Sequence, residues 1–112
     1  MKTLVVLRVY AMCAAIVCFS AVGQEALVQM TEADHRDMAP MISPGGDSLT
    51  FASNRTGNFD LGVMGVDGRN LRQLTTDPAD EKQPCWSSDG AIYYTRHMSP
   101  TVSNIWRVRA PE

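Results

Sequence analysis

The residues of this sequence that best suit metal binding or acid–base chemistry are one histidine and two aspartates, His35, Asp34 and Asp37. Imidazole nitrogen and carboxylate oxygen bind zinc, and a histidine beside carboxylates can exchange protons near neutral pH. No second histidine lies at ligand spacing, because His97 stands far away in the sequence. The pattern therefore favours a solvated connecting loop, and no metal or catalytic site is predicted at these residues.

Calcium binding is the second chemical possibility, because Asp77, Asp80 and Glu81 lie close together and offer oxygen ligands. A calcium loop of the EF-hand type repeats aspartate at alternate positions and contains a glycine, and this pattern is missing. The sequence therefore leaves calcium unassigned. The Gly-x-Ser-x-Gly turn of many serine hydrolases is missing too. We predict no enzymatic activity, no cofactor and no catalytic residue.

An aromatic binding surface is the third possibility. Trp86, Tyr93, Tyr94 and Trp106 are close in sequence and could supply one. Aromatic side chains more often pack in cores, where they bury a large apolar area. We expect Tyr94 and Trp106 to pack between sheets, and we leave the binding residues of the protein unassigned.

The first 23 residues have the layout of a secretory signal peptide, with Lys2 and Arg8 ahead of an uncharged apolar run and small residues at its end. The alternative is an uncleaved membrane anchor, since the apolar stretch 4–22 approaches the length of a bilayer-spanning helix. A signal-peptide helix at 1–23 and a mature chain at 24–112 predict a periplasmic or extracellular protein.

Charge and cysteine content exclude two further classes. Without Lys2 and Arg8, the 10 Lys and Arg of the chain fall to eight against 12 Asp and Glu, so the mature net charge is −4. Nucleic acid is excluded as a partner, because phosphate binding requires clustered cations. Cys85 is the single cysteine of residues 24–112, so an intramolecular disulfide is impossible. We expect Cys85 to be buried as a small hydrophobe.

The mature sequence contains the same unit twice, at about 27–66 and 71–109. A shift of 44 positions superimposes identical residues, and a local shift of 43 brings Leu49 onto Ile92 and Phe51 onto Tyr94. Identical pairs at a shift of 44 include Leu27 and Leu71, Gln29 and Gln73, Thr31 and Thr75, Pro40 and Pro84, and Ser43 and Ser87. Self-similarity at this period is typical of repeat architectures.

Each unit is predicted to form four short strands separated by turns rich in Gly, Pro, Asn and Ser. The predicted strands are 27–31, 38–43, 48–53 and 60–66 in the first unit, and 71–75, 83–87, 91–96 and 104–109 in the second. No stretch has a helical period, and the strand 60–66 is apolar on both faces, as in sheets stacked between neighbours. The predicted class is all-β, with two four-stranded, blade-like sheets of an incomplete β-propeller.

The stretch from Pro40 to Gly90 resembles the TolB-type, WD-like β-propeller repeat. The matching residues are Pro40, Ser43, Pro44, Gly46, Ser53, Asn54, Arg55, Gly57, Asp60, Asp67, Gly68, Leu74, Thr75, Pro84, Trp86, Ser87, Asp89 and Gly90. The sequence departs from the pattern at Ile42, where the family has Trp, at Gly45, where it has Asp, and at Ser88, where it has Pro.

The resemblance implies a propeller, usually of six blades, that acts as a protein-binding or scaffolding platform in the periplasm or on the cell surface. Two units cannot close a ring, because propellers need four to eight blades. Three arrangements stay open: a piece of a longer propeller, a ring of three self-associating copies, and a module docked on a larger partner protein. In the second, segment 27–31 of one copy could complete the sheet that ends another copy.

The alternative function is the non-catalytic propeller portion of a prolyl-oligopeptidase-like serine peptidase, in which similar repeats occur. Membrane contact is expected only through an uncleaved N-terminal segment.

Overall fold

A computed structural model describes residues 26–32 and 34–110 of the chain. This part of the chain is all-β, as predicted, and the predicted signal-peptide helix at 1–23 lies outside it. Among the described residues, no helix is long and apolar enough to span a membrane. The strands are β1 (Asp37–Ile42), β2 (Ser48–Ser53), β3 (Asp60–Gly65), β4 (Arg72–Gln73), β5 (Asp80–Trp86), β6 (Ala91–Ser99) and β7 (Val102–Arg109).

The first sheet is antiparallel, with the strand order β1-β2-β3-β4. β2 and β3 pair along their whole length, from Ser48 opposite Gly65 to Ser53 opposite Asp60. The turn after β3 contains Gly68 at a φ of 81°, a conformation that residues with a Cβ rarely adopt. The predicted strand 48–53 is present as β2, and the predicted strand 60–66 is present as β3 with its end one residue earlier.

The second sheet has three strands within the described ranges, in the order β5-β6-β7. β6 and β7 form a long antiparallel hairpin that runs from Ala91 opposite Arg109 to Ser99 opposite Val102. Both strands are longer than predicted, because the chain reverses in a tight turn at residues 100–101, whereas the first unit uses the longer loop 54–59. The outer edge of β7 has no strand beside it among residues 26–32 and 34–110.

Both sheets contain the same irregularity in their first strand. The register of β1 shifts between Met38 and Met41, and the register of β5 shifts between Lys82 and Cys85. At each shift the residue before a proline has positive φ, 53° at Ala39 and 56° at Gln83. These two residues are 44 positions apart. The bulge is therefore a property of the repeated unit.

The two sheets pack face to face through an apolar core. Ala52, Phe59 and Leu61 of the first unit contact Ile92 and Tyr94 of the second sheet, and each is at most 9% exposed. Removing such side chains from water is the main favourable contribution to folding, at about 25 cal/mol per Å² of apolar surface. The prediction that Tyr94 packs between sheets is confirmed.

Polar contacts also join the two sheets, through the loop before β3. Asn58 Nδ2 donates to the carbonyl oxygens of Asp77 and Ala79, at 2.9 and 3.1 Å. The N–H of Phe59 donates to the carboxylate of Asp80 at 3.0 Å. The connection between the sheets is thus fixed to the first sheet before β5 begins.

Segment 27–31 is not a strand, and that prediction is wrong. The repeat equivalent of the segment, 71–75, forms the short strand β4 and pairs with β3 of the preceding sheet. A strand needs a neighbouring backbone to satisfy its N–H and C=O groups, and no described strand pairs with segment 27–31. Leu27 and Val28 are exposed.

Three other strand boundaries differ from the prediction. β4 has two residues where five were predicted at 71–75. β5 begins at Asp80 instead of residue 83, since the loop contact with Phe59 holds this part of the chain beside β6. β1 occupies Asp37–Ile42 in place of 38–43.

Candidate functional site

The structure brings His35, Asp34 and Asp37 together ahead of β1. The imidazole Nδ1 of His35 lies 2.7 Å from Asp34 Oδ1, and its Nε2 lies 3.1 Å from Asp37 Oδ2. A fourth side chain completes the group: Arg55 Nη2 lies 3.0 Å from His35 Nε2 and 3.3 Å from Asp37 Oδ1. Sequence reasoning did not place Arg55 here.

The arginine decides what this group can do. The guanidinium of Arg55 always carries its charge, so it repels a metal cation and already neutralises the carboxylate of Asp37. Across the part of the chain that the structure describes, no three His, Cys, Asp or Glu residues are arranged to hold a metal ion. The group fastens a loop, since the Arg36 N–H also donates to Asn54 Oδ1 at 2.7 Å and the Asn54 N–H donates to the carbonyl oxygen of Arg36 at 3.1 Å.

Burial raises the pKa of Asp37. Hydrogen bonds from Ser53, Thr31 and Arg55, together with the electrostatic interaction with His35, lower this pKa by a larger amount. The net pKa of Asp37 lies below its ordinary value of 3.8. The charged carboxylate is therefore favoured in the folded protein, as expected for a group that stabilises a loop.

The three acidic residues considered for calcium have different partners. Asp80 Oδ2 lies 3.0 Å from Lys82 Nζ, and its other oxygen accepts the Phe59 N–H. Asp77 and Glu81 both contact Arg96, at 3.2 and 2.6 Å. A basic side chain thus occupies the space where a cation would bind the oxygens.

Glu81 is fully buried, and its pairing with Arg96 was not predicted. Arg96 donates to Glu81 Oε1 through Nε and Nη2, at 2.9 and 2.6 Å, and its guanidinium lies 4.0 Å from the ring centroid of Trp106. Among the described residues, Glu81 Oε2 has no hydrogen-bond partner. The repeat could have indicated the role of Glu81, because Glu81 is the equivalent of Asp37 at a shift of 44. Each sheet therefore holds an acidic residue at this position with an arginine.

The four aromatic residues do not form one surface. Tyr94 is buried in the core, and the Trp86 indole N–H donates to the carbonyl oxygen of Met41 at 3.2 Å, linking the two sheets. Tyr93 and Trp106 are exposed. They lie on opposite faces of the second sheet, because Tyr94 pairs with Trp106 and side chains alternate along a strand. The prediction that Trp106 packs between sheets is not met in this chain.

An exposed apolar surface lies on the face of the second sheet that points away from the first sheet. Tyr93 and Ile105 are exposed on this face, and Ile105 has 72% of its surface accessible. Cys85, opposite Tyr93 in β5, is exposed as well, so the prediction that it is buried is wrong. The bulge in β5 changes which residues face the core. Large exposed apolar patches usually mark interaction sites.

Comparison with known proteins gives two kinds of partial sequence match, and no family model matches the chain. The Tol-Pal system protein TolB of Vesicomyosocius okutanii is 37% identical over 51 residues, which are 46% of this chain and 12% of that protein. TolB of Hahella chejuensis is 29% identical over 65 residues, which are 58% of this chain and 14% of that protein. The uncharacterized peptidase YuxL of Bacillus subtilis is 38% identical over 64 residues, 56% of this chain and 10% of that protein.

The fold comparison decides the architecture. A solved structure assigned to TolB from Agrobacterium tumefaciens superposes with a TM-score of 0.66 over 71% of this chain and 32% of that chain, at 20% identity. The two sheets are TolB-like β-propeller blades. The chain spans no more than 14% of the length of the curated relatives named above.

The contacts explain why the TolB-like repeat carries the run Ser53-Asn54-Arg55. Ser53 Oγ accepts from Arg55 Nε at 2.9 Å, Asn54 binds the backbone of Arg36, and Arg55 reaches Asp37. In the second TolB-like blade, Arg96 takes the place of Ser53 and holds Glu81 directly. The acidic residue at this position is therefore paired with an arginine of the turn after β2 in the first blade and with an arginine of β6 in the second blade.

Proposed function

We propose that this chain is an exported protein-binding or scaffolding module made of TolB-like blades. The observation that carries the proposal is a two-blade stack whose second sheet ends in an open strand edge and an exposed apolar face. Open edges and apolar faces are where proteins add strands or dock partners. The sequence matches to Tol-Pal system proteins support a partner in the cell envelope.

The proposal includes the domain organisation. Residues 1–23 act as a signal peptide, and residues 24–112 form the binding module in the periplasm or outside the cell. The apolar run and the two early basic residues support export.

The first test is binding to a peptidoglycan-associated lipoprotein of the same cell, the protein class that the name Tol-Pal suggests. The full chain is expressed with a C-terminal tag, the lipoprotein is co-expressed, and both are followed through affinity purification. Co-purification at constant stoichiometry is expected. A chain that is exported and folded but never retains the lipoprotein would contradict an envelope partner of this kind.

A second candidate function is the non-catalytic propeller portion of a serine peptidase. The specific support is the match to the peptidase YuxL, which covers 56% of this chain. The DNA that follows the codon of Glu112 distinguishes the candidates. A Gly-x-Ser-x-Gly turn encoded in frame downstream would favour the peptidase, and its absence there would favour the binding module.

A further inference from the structure

We propose that segment 27–31 of one copy of this chain adds as a fourth strand to the outer edge of β7 in a second copy, so that copies join head to tail. This inference deepens the proposed protein-binding function by naming one partner, and it is argued from the correspondence between the two units.

The first sheet shows what the segment does when an edge is available. β4 lies beside β3, with Gly62 opposite Gln73. The N–H of Leu74 donates to the carbonyl oxygen of Leu61 at 2.8 Å, and the N–H of Leu61 donates to Thr75 Oγ1 at 2.9 Å. In the repeat, residues 27–31 are the equivalents of 71–75, 44 positions earlier in the chain. Residues 104–109, the second part of β7, are the equivalents of β3, 44 positions later.

Segment 27–31 shares a local hydrogen bond with its equivalent. Gln73 Nε2 donates to the carbonyl oxygen of Thr75 at 2.8 Å, and Gln29 Nε2 donates to the carbonyl oxygen of Thr31 at 2.7 Å. The same side-chain hydrogen bond thus forms where no sheet surrounds it. A segment that is preorganised in this way loses less conformational entropy when it binds.

The segment is also placed like its equivalent. Leu74 packs against the core cluster that contains Ile92 and Tyr94. Met30, the equivalent of Leu74, lines a cleft with Leu49 and Phe51, which are the equivalents of Ile92 and Tyr94. Segment 27–31 therefore lies against the first sheet as β4 lies against the second.

The edge of β7 offers the matching partners. Asp60 accepts a hydrogen bond from Gln73 Nε2 at 3.0 Å, and Asn104, its equivalent, carries an amide oxygen that can accept from Gln29. Leu61 is buried under the completed sheet, whereas its equivalent Ile105 is 72% exposed. The added strand would place Met30 opposite Ile105.

Segment 27–31 does not reach β7 of its own copy. Phe51 and Ala52 are neighbours in β2 and point to opposite faces, and Ala52 faces the second sheet. Met30, beside Phe51, thus lies on the far side of the first sheet from β7. One surface then binds a different surface of the next copy, an arrangement that closes into rings or extends as filaments.

The proposal is tested by the mass of the full chain in solution. Light scattering after size-exclusion chromatography measures this mass. We expect an assembly for the natural sequence and a folded monomer for Met30→Pro, because proline removes the N–H that would donate to Ile105. The matched control is Glu32→Pro, one residue beyond the pairing segment, which should still assemble. A folded monomer of the natural sequence, or assembly of Met30→Pro, would overturn the proposal.

Crosslinking tests the register. In a background without the three natural cysteines (Cys13→Ala, Cys18→Ala and Cys85→Ser), Val28→Cys with Arg107→Cys places the two cysteines directly opposite across copies. Val28→Cys with Arg109→Cys is displaced by two residues, at about 7 Å or more, beyond the usual reach of a disulfide. We expect a disulfide-linked ladder from the first pair only, and equal ladders from both pairs would refute the register. Lipoprotein binding by Met30→Pro is measured separately, so either proposal can fail alone.

Discussion

At the scale of the residue, each blade pairs an acidic side chain near the start of its first strand with an arginine, and the two pairs differ in burial. Glu81 is fully buried, whereas Asp37 keeps 14% of its side chain exposed. Removing one member of a buried pair leaves an uncompensated charge, while replacing both by apolar side chains is often neutral.

We predict that Arg96→Met lowers the free energy of unfolding by about 3 kcal/mol, because the carboxylate of Glu81 then stays buried without a counter-charge. Urea denaturation measures the loss. The double variant Glu81→Met/Arg96→Met should recover most of it. Arg109→Met is the control, since it breaks the exposed pair with Asp89 and should have a much smaller effect. Equal losses in Arg96→Met and Arg109→Met would contradict the prediction.

The pH dependence of stability is expected to report on Asp37. Because its folded-state pKa lies below 3.8, the carboxylate stabilises the protein above about pH 4, and this contribution is lost as the pH falls through the lowered pKa. Asp37→Asn should be less stable than the natural sequence at neutral pH and should lose less stability between about pH 4 and pH 2. Thermal denaturation across this range measures both slopes. Parallel curves for the two proteins would show that Asp37 contributes nothing.

At the scale of the element, the strands that match their predicted bounds most closely are β2 and β3, each of which has a partner on both sides. β2 occupies its predicted residues, because alternating apolar residues and the flanking turns specify both of its ends. Segment 27–31 has the same pattern as 71–75 and yet is no strand, since pairing depends on which edge is present. The bulges at Ala39 and Gln83 could not be predicted either, because neither residue type favours positive φ.

A single change should test the conformation of the bulge. We predict that Ala39→Gly stabilises the protein by up to about 1 kcal/mol, because a left-handed conformation costs a residue with a Cβ about 1–2 kcal/mol and glycine costs about 0.5–1 kcal/mol of entropy. Ala79→Gly is the same chemical change where φ is not positive, and it should destabilise. Chemical denaturation gives both values. Destabilisation of equal size at both positions would contradict a left-handed Ala39.

At the scale of the whole molecule, the two blades depend on one shared core and one polar clamp. The apolar cluster takes residues from both sheets, and Asn58 binds the segment that leads into β5. The candidate site, like the core, depends on contacts between parts of the chain that are distant in sequence. The resemblance to TolB-type repeats predicted the blades, and the order of the units predicted an incomplete last sheet, but only the structure showed that β4 of segment 71–75 pairs with β3 and that β7 carries the open edge. The grouping of Arg55 with His35 was beyond sequence reasoning, because 20 residues separate them in the chain.

Because the core is shared, we predict that the described blades unfold in one cooperative transition. Both tryptophans, Trp86 and Trp106, belong to the second sheet, so their fluorescence follows that sheet, while far-UV circular dichroism follows all strands. The two signals should change at the same urea concentration. Phe59→Ala, at the boundary between the sheets, should cost about 3–5 kcal/mol and lower both midpoints equally. If Phe59→Ala lowered the midpoint of the dichroism and left the fluorescence midpoint unchanged, the second sheet would be stable without the first. Each sheet would then have its own core.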